Sequence, residues 1–111
     1  MLHKMTISES AFVAIKSGEK TVEVRLYDGK RQLIKIGDQI EFSTKTKKLK
    51  VVVLNLEKFT SFLQLLEQHS EKLGLSRFES PNDWLREVRK IYPLERKRKY
   101  GVLAIQLEVI N

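Results

Sequence analysis

The stretch Gly18-Glu19-Lys20-Thr21-Val22-Glu23-Val24-Arg25 decides how the rest of the chain is read. Val22, Val24 and Leu26 alternate with Thr21, Glu23 and Arg25. That period of two predicts a strand over Lys20–Leu26 with one apolar and one polar face. Glu23 and Arg25 share the face opposite Val22 and Val24. Lys20 has the other parity but stands at the strand's start, where the rim is open. Arg25 can fork onto a phosphate or a base edge, and Glu23 can accept from an exocyclic amino group such as cytosine N4. The plainer account of the same spacing is a solvated strand face with an i, i+2 ion pair, which stabilises little.

Upstream, Leu2–Ile7 reads as a short strand. Ser8 then caps a helix, with Glu9 in its first turn facing the positive end of the dipole. Phe12 and Ile15 give that helix an apolar side, and Gly18 ends it. A helix of about ten residues is too short to stand alone, so it packs on something. Downstream, Asp28-Gly29 and Gly37-Asp38 mark turns. Gln39–Ser43 and Lys48–Leu56 read as strands. The second half turns helical, with Phe62, Leu65, Leu66 and His69 on one face. Ser80-Pro81-Asn82-Asp83 is a helix start: a capping Ser, a Pro in the first turn and an acid at the third position. Trp84, Val88 and Ile91 follow at i, i+4 and i+7, and Pro93 ends that helix. The run Arg96–Lys99 reads as a solvated loop. Tyr100–Val109 is apolar on both faces at first and so reads as a central strand.

The order is β-α-β-β-β-α-α-β. Strands and helices do not alternate regularly, so a doubly wound parallel sheet is not expected. The prediction is an α+β fold: a mixed or antiparallel sheet curled towards a barrel, with about three flanking α-helices. Residues 1–111 suffice for a single domain, and no linker or repeat divides them.

The net charge is +7, from 21 Lys and Arg against 14 Asp and Glu. The surplus is spread over both halves of the chain, with dense clusters at Lys45–Lys50 and Arg96–Lys99. Such a surplus suits polyanions, because each cation at a phosphate releases a counterion. Cysteine is absent, which excludes disulfides and thiolate metal sites. No apolar run approaches the ~18 residues of a membrane span, and Met1–Ser10 does not resemble a signal peptide. The expectation is a cytoplasmic protein with no membrane partner.

Catalytic options are few. The two histidines, His3 and His69, are isolated in sequence, whereas a metal site needs several converging ligands. There is no HExxH, no Walker loop and no GxGxxG. No metal and no cofactor are expected. Tyr100 follows Arg96-Lys97-Arg98-Lys99, so a base could stack on its ring beside phosphate-binding cations.

Four segments together resemble the ASCH domain family, of the PUA-like superfamily. Gly18, Lys20, Glu23 and Arg25 match a G-x-K-x-x-E-x-R signature. In the same segment Phe12 and Ile15 precede it at the family's F-x-x-I-x-x-G-x-K spacing. Asp28, Lys30 and Arg31 are similar to a D-x-K-R element. Ile36-Gly37-Asp38-Gln39-Ile40-Glu41-Phe42 resembles a G-D-x-I-x-F element, and Tyr100–Ile105 is similar to the family's closing strand. The likeness covers nearly the whole chain and is weakest at Glu57–Asn82. It implies a PUA-like β-barrel with a cleft between barrel and helices, and an association with RNA. Some small members of the family are amidohydrolases that deacetylate N4-acetylcytidine. They use a Lys, a Thr three residues later, and a Glu in the later helix. Lys20 matches the Lys. Glu23 stands at the Thr position, and the acid falls near Asp83. A Thr hydroxyl can attack a carbonyl, whereas a carboxylate at Glu23 would have to activate water, with Lys20 polarising the carbonyl oxygen.

The expected function is therefore RNA or nucleotide binding in a charged cleft, through Lys20, Glu23, Arg25, Arg31 and Tyr100. The alternative is a small amidohydrolase deacylating an N4-acylated cytidine-type nucleoside, with Lys20, Glu23 and Asp83 as catalytic residues. RNA, a nucleoside or a nucleotide is the expected partner, and a monomer the expected state.

Overall fold

The computed structural model describes residues 1–110. Strand β1 (Leu2–Thr6) leads through the Ser8 cap into helix α1 (Glu9–Ser17). The Ser8 hydroxyl accepts from the Ala11 amide at 3.2 Å. Gly18 closes the helix at φ +87°, a left-handed conformation that suits a residue without Cβ. Strand β2 (Val22–Leu26) follows, then β3 (Gln39–Ser43) and β4 (Lys48–Phe59). Helices α2 (Phe62–His69), α3 (Pro81–Ile91) and α4 (Leu94–Tyr100) precede the last strand, β5 (Val102–Val109).

The five strands form one sheet in the order β1-β3-β4-β5-β2. β1 runs parallel to β3, and the other neighbours are antiparallel. The sheet is mixed, curled into a half-barrel, and α+β in class. Its curl has a local cause in β4. The register slips between Val53 and Asn55, so Leu54 is an extra residue against β5. A bulge of this kind bends and twists the strand that carries it. β1 and β2 are the two edges of the sheet, and no backbone ladder joins them.

β5 lies between β4 and β2, a central strand with core on both faces. Leu103, Ile105 and Leu107 look into the concave core, with Phe12 and Ile15 of α1. Val102 and Ala104 look to the convex side, where Phe62, Leu65, Trp84 and Leu85 of α2 and α3 cover the sheet. Each large apolar side chain buried this way stabilises by about 1.5–3 kcal/mol, so α1, too short to hold itself, is held by Phe12 and Ile15.

The expected fold class stands, with four α-helices among the described residues, since Leu94–Tyr100 is helical. Two local expectations need correction. The charge run read as a loop is the body of α4. Pro93, at φ −58°, starts that helix, and Lys97, Arg98 and Lys99 occupy its last turn, where cations favour the negative end of the dipole. The fourth strand also continues past Leu56 to Phe59, since Glu57 and Lys58 pair with Ala104 and Leu103.

Candidate nucleotide-binding cleft

In the antiparallel register Glu23 faces Ile105 and Arg25 faces Leu103. Both charged side chains therefore project from the concave face of the sheet, at the edge strand, where the half-barrel stops short of closing. Polar positions that the alternation assigns to a solvated face are here drawn inside. Glu23 Oε1 accepts from Lys20 Nζ at 2.7 Å and from the Val24 amide at 3.3 Å. Its Oε2 accepts from Arg25 Nε at 3.0 Å and Nη2 at 2.8 Å. The side chains of Lys20, Glu23 and Arg25 are only 10%, 6% and 15% exposed. Burial by itself pushes the Glu23 carboxyl up. The charges and hydrogen bonds of Lys20 and Arg25 override it and lower its pKa to about 2. Burial likewise disfavours the Arg25 cation, but Glu23 outweighs it and holds the guanidinium charged.

Arg25 has a second role. Its Nη2 also donates to the Thr6 carbonyl at 3.1 Å. The guanidinium thus spans the seam between β2 and β1.

Lys20 is placed by backbone on two sides. Its amide donates to Ala14 O of α1 at 2.9 Å, and it bridges to Leu73. Gly74 follows, at φ +68°, and a Cβ there would lie 3.1 Å from Lys20 Cβ. The glycine allows the turn to approach that closely.

These residues line a cleft of about 410 Å³. Lys20, Glu23 and Arg25 form one wall, the Thr6–Ala11 junction another, and α3 with the preceding turn the third. The third wall is aromatic: Phe78, Trp84 and Tyr92 all reach it. Tyr92 stacks on Phe62 with centroids 5.8 Å apart, and its hydroxyl donates to Val24 O at 3.5 Å. Burial raises the Tyr92 pKa, with Arg25 opposing. Arg77 also lines the cleft, with Nε on Gly74 O at 3.0 Å.

The other expected residues are spread more widely. Arg31 lines a second, adjoining hollow that shares Arg25 and Tyr92 with the cleft. Asp83 is not among the residues lining either. Its amide donates to Ser80 Oγ at 3.3 Å and its carboxylate accepts from Arg86 at 2.6 Å, so it serves the start of α3. The acid of α3 that reaches the cleft is Glu87, one turn further on. Tyr100 lines neither space. It packs against the convex core, with Arg96 and Lys99 cations 5.8 Å and 5.2 Å from its ring. Thr21, next to Lys20, does not line the cleft. His3 is bonded to Asp38 and His69 to Glu57, both away from the cleft. Among the described residues, no group of three or more His, Cys, Asp or Glu could hold a metal ion.

Sequence reasoning missed Arg77, Phe78, Glu87 and Tyr92, and took Trp84 for core alone. Trp84, Val88 and Ile91 did carry a signal, since their spacing marks one helix face. That face serves both the core and the cleft.

The charged triad and its helix-capped strand match a known pattern over almost the entire chain. A family model of the ASCH domain matches residues 5–111. This chain belongs to the ASCH domain family. Among solved structures it is similar to hypothetical protein PH0355, with 39% identity and a TM-score of 0.89, over 99% of this chain and 100% of that one. Protein PF0455 from Pyrococcus furiosus is 36% identical, with a TM-score of 0.76, over 100% of this chain and 99% of that one. ASCH from Zymomonas mobilis shares the fold at 15% identity and a TM-score of 0.68, over 97% of this chain and 69% of that one. No curated protein matches the sequence. Among the described residues of this ASCH chain, no helix is long and apolar enough to cross a membrane.

Proposed function

We propose that this ASCH domain binds RNA and holds one nucleotide of the strand in the cleft between β2 and α3. One observation carries the reading: Lys20, Glu23 and Arg25 line one cleft together with the aromatic side chains of Phe78, Trp84 and Tyr92. Its volume of about 410 Å³ lies within the usual range for small-ligand sites. RNA recognition commonly takes an unstacked base between aromatic rings and hydrogen-bonds its edge. Here Phe78, Trp84 and Tyr92 offer the rings. The Lys20 ammonium and Arg25 guanidinium offer donors to base carbonyls, and Glu23 keeps both in place. The net charge of +7 supplies the attraction for the strand on either side. Filter binding of mixed-sequence single-stranded RNA at two salt concentrations tests this. Salt-sensitive binding at micromolar protein, weakened by Arg25→Gln, is the expected result. No binding at low salt removes the reading.

A second reading is favoured by Glu87. Lys20 and Glu87 come from different walls of the same cleft. An N4-acylated cytidine seated there would present its amide carbonyl to Lys20; Glu87 would take a proton from a water whose oxygen attacks the carbonyl carbon and return it to N4 as the C–N bond breaks, giving free cytidine and the carboxylic acid. Glu23 is a poor base, with both oxygens occupied and its pKa near 2. Incubation with N4-acetylcytidine, followed by chromatography for cytidine, decides it. Turnover abolished by Lys20→Ala and by Glu87→Gln supports this reading, and absence of turnover by the intact protein ends it.

A further inference from the structure

The second hollow, about 220 Å³, opens beside the cleft and shares Arg25, Ile91 and Tyr92 with it. Three guanidinium groups line it, Arg25, Arg31 and Arg96, against the single carboxylate of Asp28. They come from three separate places: β2, the turn after it, and α4. Even with Glu23 set against Arg25, one positive charge is left over.

Arg25 is held by Glu23 and the Thr6 carbonyl, but the existing partners leave Arg31 and Arg96 only partly satisfied. Arg31 Nη1 donates to Asp28 Oδ2 at 3.1 Å and more weakly to Oδ1 at 3.4 Å. Its Nε is buried and has no hydrogen-bond partner. A buried N–H left without an acceptor is costly, and more so on a charged group. Arg96 Nη2 stands 3.7 Å from Asp28 Oδ2, an ion pair beyond hydrogen-bond distance, and its half-exposed side chain also lies over the Tyr100 ring at 5.8 Å. The planar fork of a guanidinium matches the oxygens of a phosphate better than any other anion-binding side chain does.

We propose that this hollow is the phosphate subsite for the nucleotide whose base enters the cleft. The proposal rests on the nucleotide-binding reading given above and adds the ligand's class: a phosphorylated nucleotide, not a free nucleoside. Ile91 and Tyr92 form the shared wall, so base and phosphate lie on its two sides. Arg25 reaches both spaces. Arg31 and Arg96 take the phosphate oxygens, and Asp28 positions the two cations. The phosphate can belong to a free nucleotide or to an RNA chain.

Trp84 is the chain's single tryptophan and lines the cleft, so its fluorescence reports occupation of the base site. The protein is titrated with the four ribonucleosides, their 5′- and 3′-monophosphates, and dinucleoside monophosphates. A monophosphate is expected to bind about tenfold more tightly than its nucleoside, the effect of one charge-assisted contact. Arg96→Gln, on the exposed helix, should shrink that ratio severalfold, and Arg31→Gln should shrink it further. Because Arg31 also braces a turn, the Arg96 variant and the ligand comparison on the intact protein stand without it. A ratio that persists only for monoesters points to free nucleotides, and one that extends to the phosphodiester points to RNA; either supports the subsite. Equal affinity for nucleoside and monophosphate overturns the subsite and leaves the cleft. A ratio unchanged in both variants also overturns it. No response to any of these ligands overturns the cleft and the subsite together.

Discussion

Glu23 is a single carboxylate that holds two cations inside the mouth of a half-barrel. Removing it leaves Lys20 and Arg25 buried without an anion, which typically costs about 3 kcal/mol. Its pH dependence has a definite sign. The folded pKa is about 2, below the ordinary 4.5. The stabilisation is therefore complete above pH 4.5 and is lost as pH falls towards 2. Asp38 is also held at about 2, by His3, Lys35 and the N-terminus, so acid unfolding of the intact protein is not a readout of Glu23 alone. The difference between the protein and Glu23→Gln isolates it. In urea titrations that difference is expected to be constant above pH 4.5 and to close between pH 4.5 and 2. A difference that stays constant down to pH 2 would contradict the buried triad. At this scale the sequence was half legible. Residue types and spacing named Lys20, Glu23 and Arg25 as a group. They could not say that the polar face of the strand turns inward, because that depends on where the sheet ends.

Two glycines separate element geometry from site geometry. Gly18 and Gly74 both have positive φ, but a Cβ on Gly18 meets nothing within 4 Å, whereas one on Gly74 crowds Lys20 and Arg77. Alanine at either position should cost about 1 kcal/mol or more in stability. Only Gly74→Ala should also weaken RNA binding, by displacing Lys20; equal binding by both variants counts against Lys20 as a contact. Helix α3 gives a parallel pair. Ser80→Ala removes the cap and should cost about 1 kcal/mol in a denaturant titration. Asp83→Asn, away from the cleft, should leave RNA affinity unchanged. A large loss of affinity there would restore Asp83 to the site. The caps at Ser8 and Ser80 were legible because capping is local chemistry. Helix α4 was not. Leu94–Tyr100 has no side-chain cap and no apolar stripe, and it holds its shape through Pro93 and the charges of its last turn. Glu87 was missed for a related reason: it shares a face of α3 with Asp83 but lies one turn further along, which decides the acid that meets the cleft, and the capping box drew attention to the first turn.

Across the whole molecule, charge is the dominant property. The surplus sits on a body whose sheet is open along one seam, beside the cleft. Exposed cations on α4 should act on RNA through counterion release, irrespective of base sequence. Replacing Arg98 and Lys99 by Gln is expected to weaken binding to all sequences alike and to lower the slope of log K against log salt by about two units, one for each cation removed. A sequence-selective loss would mean that α4 reads bases. The overall architecture was the most legible layer, since the irregular order of strands and helices already argues against a doubly wound parallel sheet. The half-barrel's open edge was not, because periodicity carries no information on closure.

That open edge gives Arg25 a mechanical meaning. Its guanidinium fastens β2 to the Thr6 carbonyl of β1 with the same Nη2 that grips Glu23, and its Nη1 donates to no described residue. A ligand that engages only Nη1 leaves the fastening intact. One that draws the group away from Thr6 unzips the two border strands by one hydrogen bond. Occupancy and the breathing of the barrel are then coupled, and the amides flanking Thr6 should exchange with deuterium at different rates when the cleft is full and when it is empty.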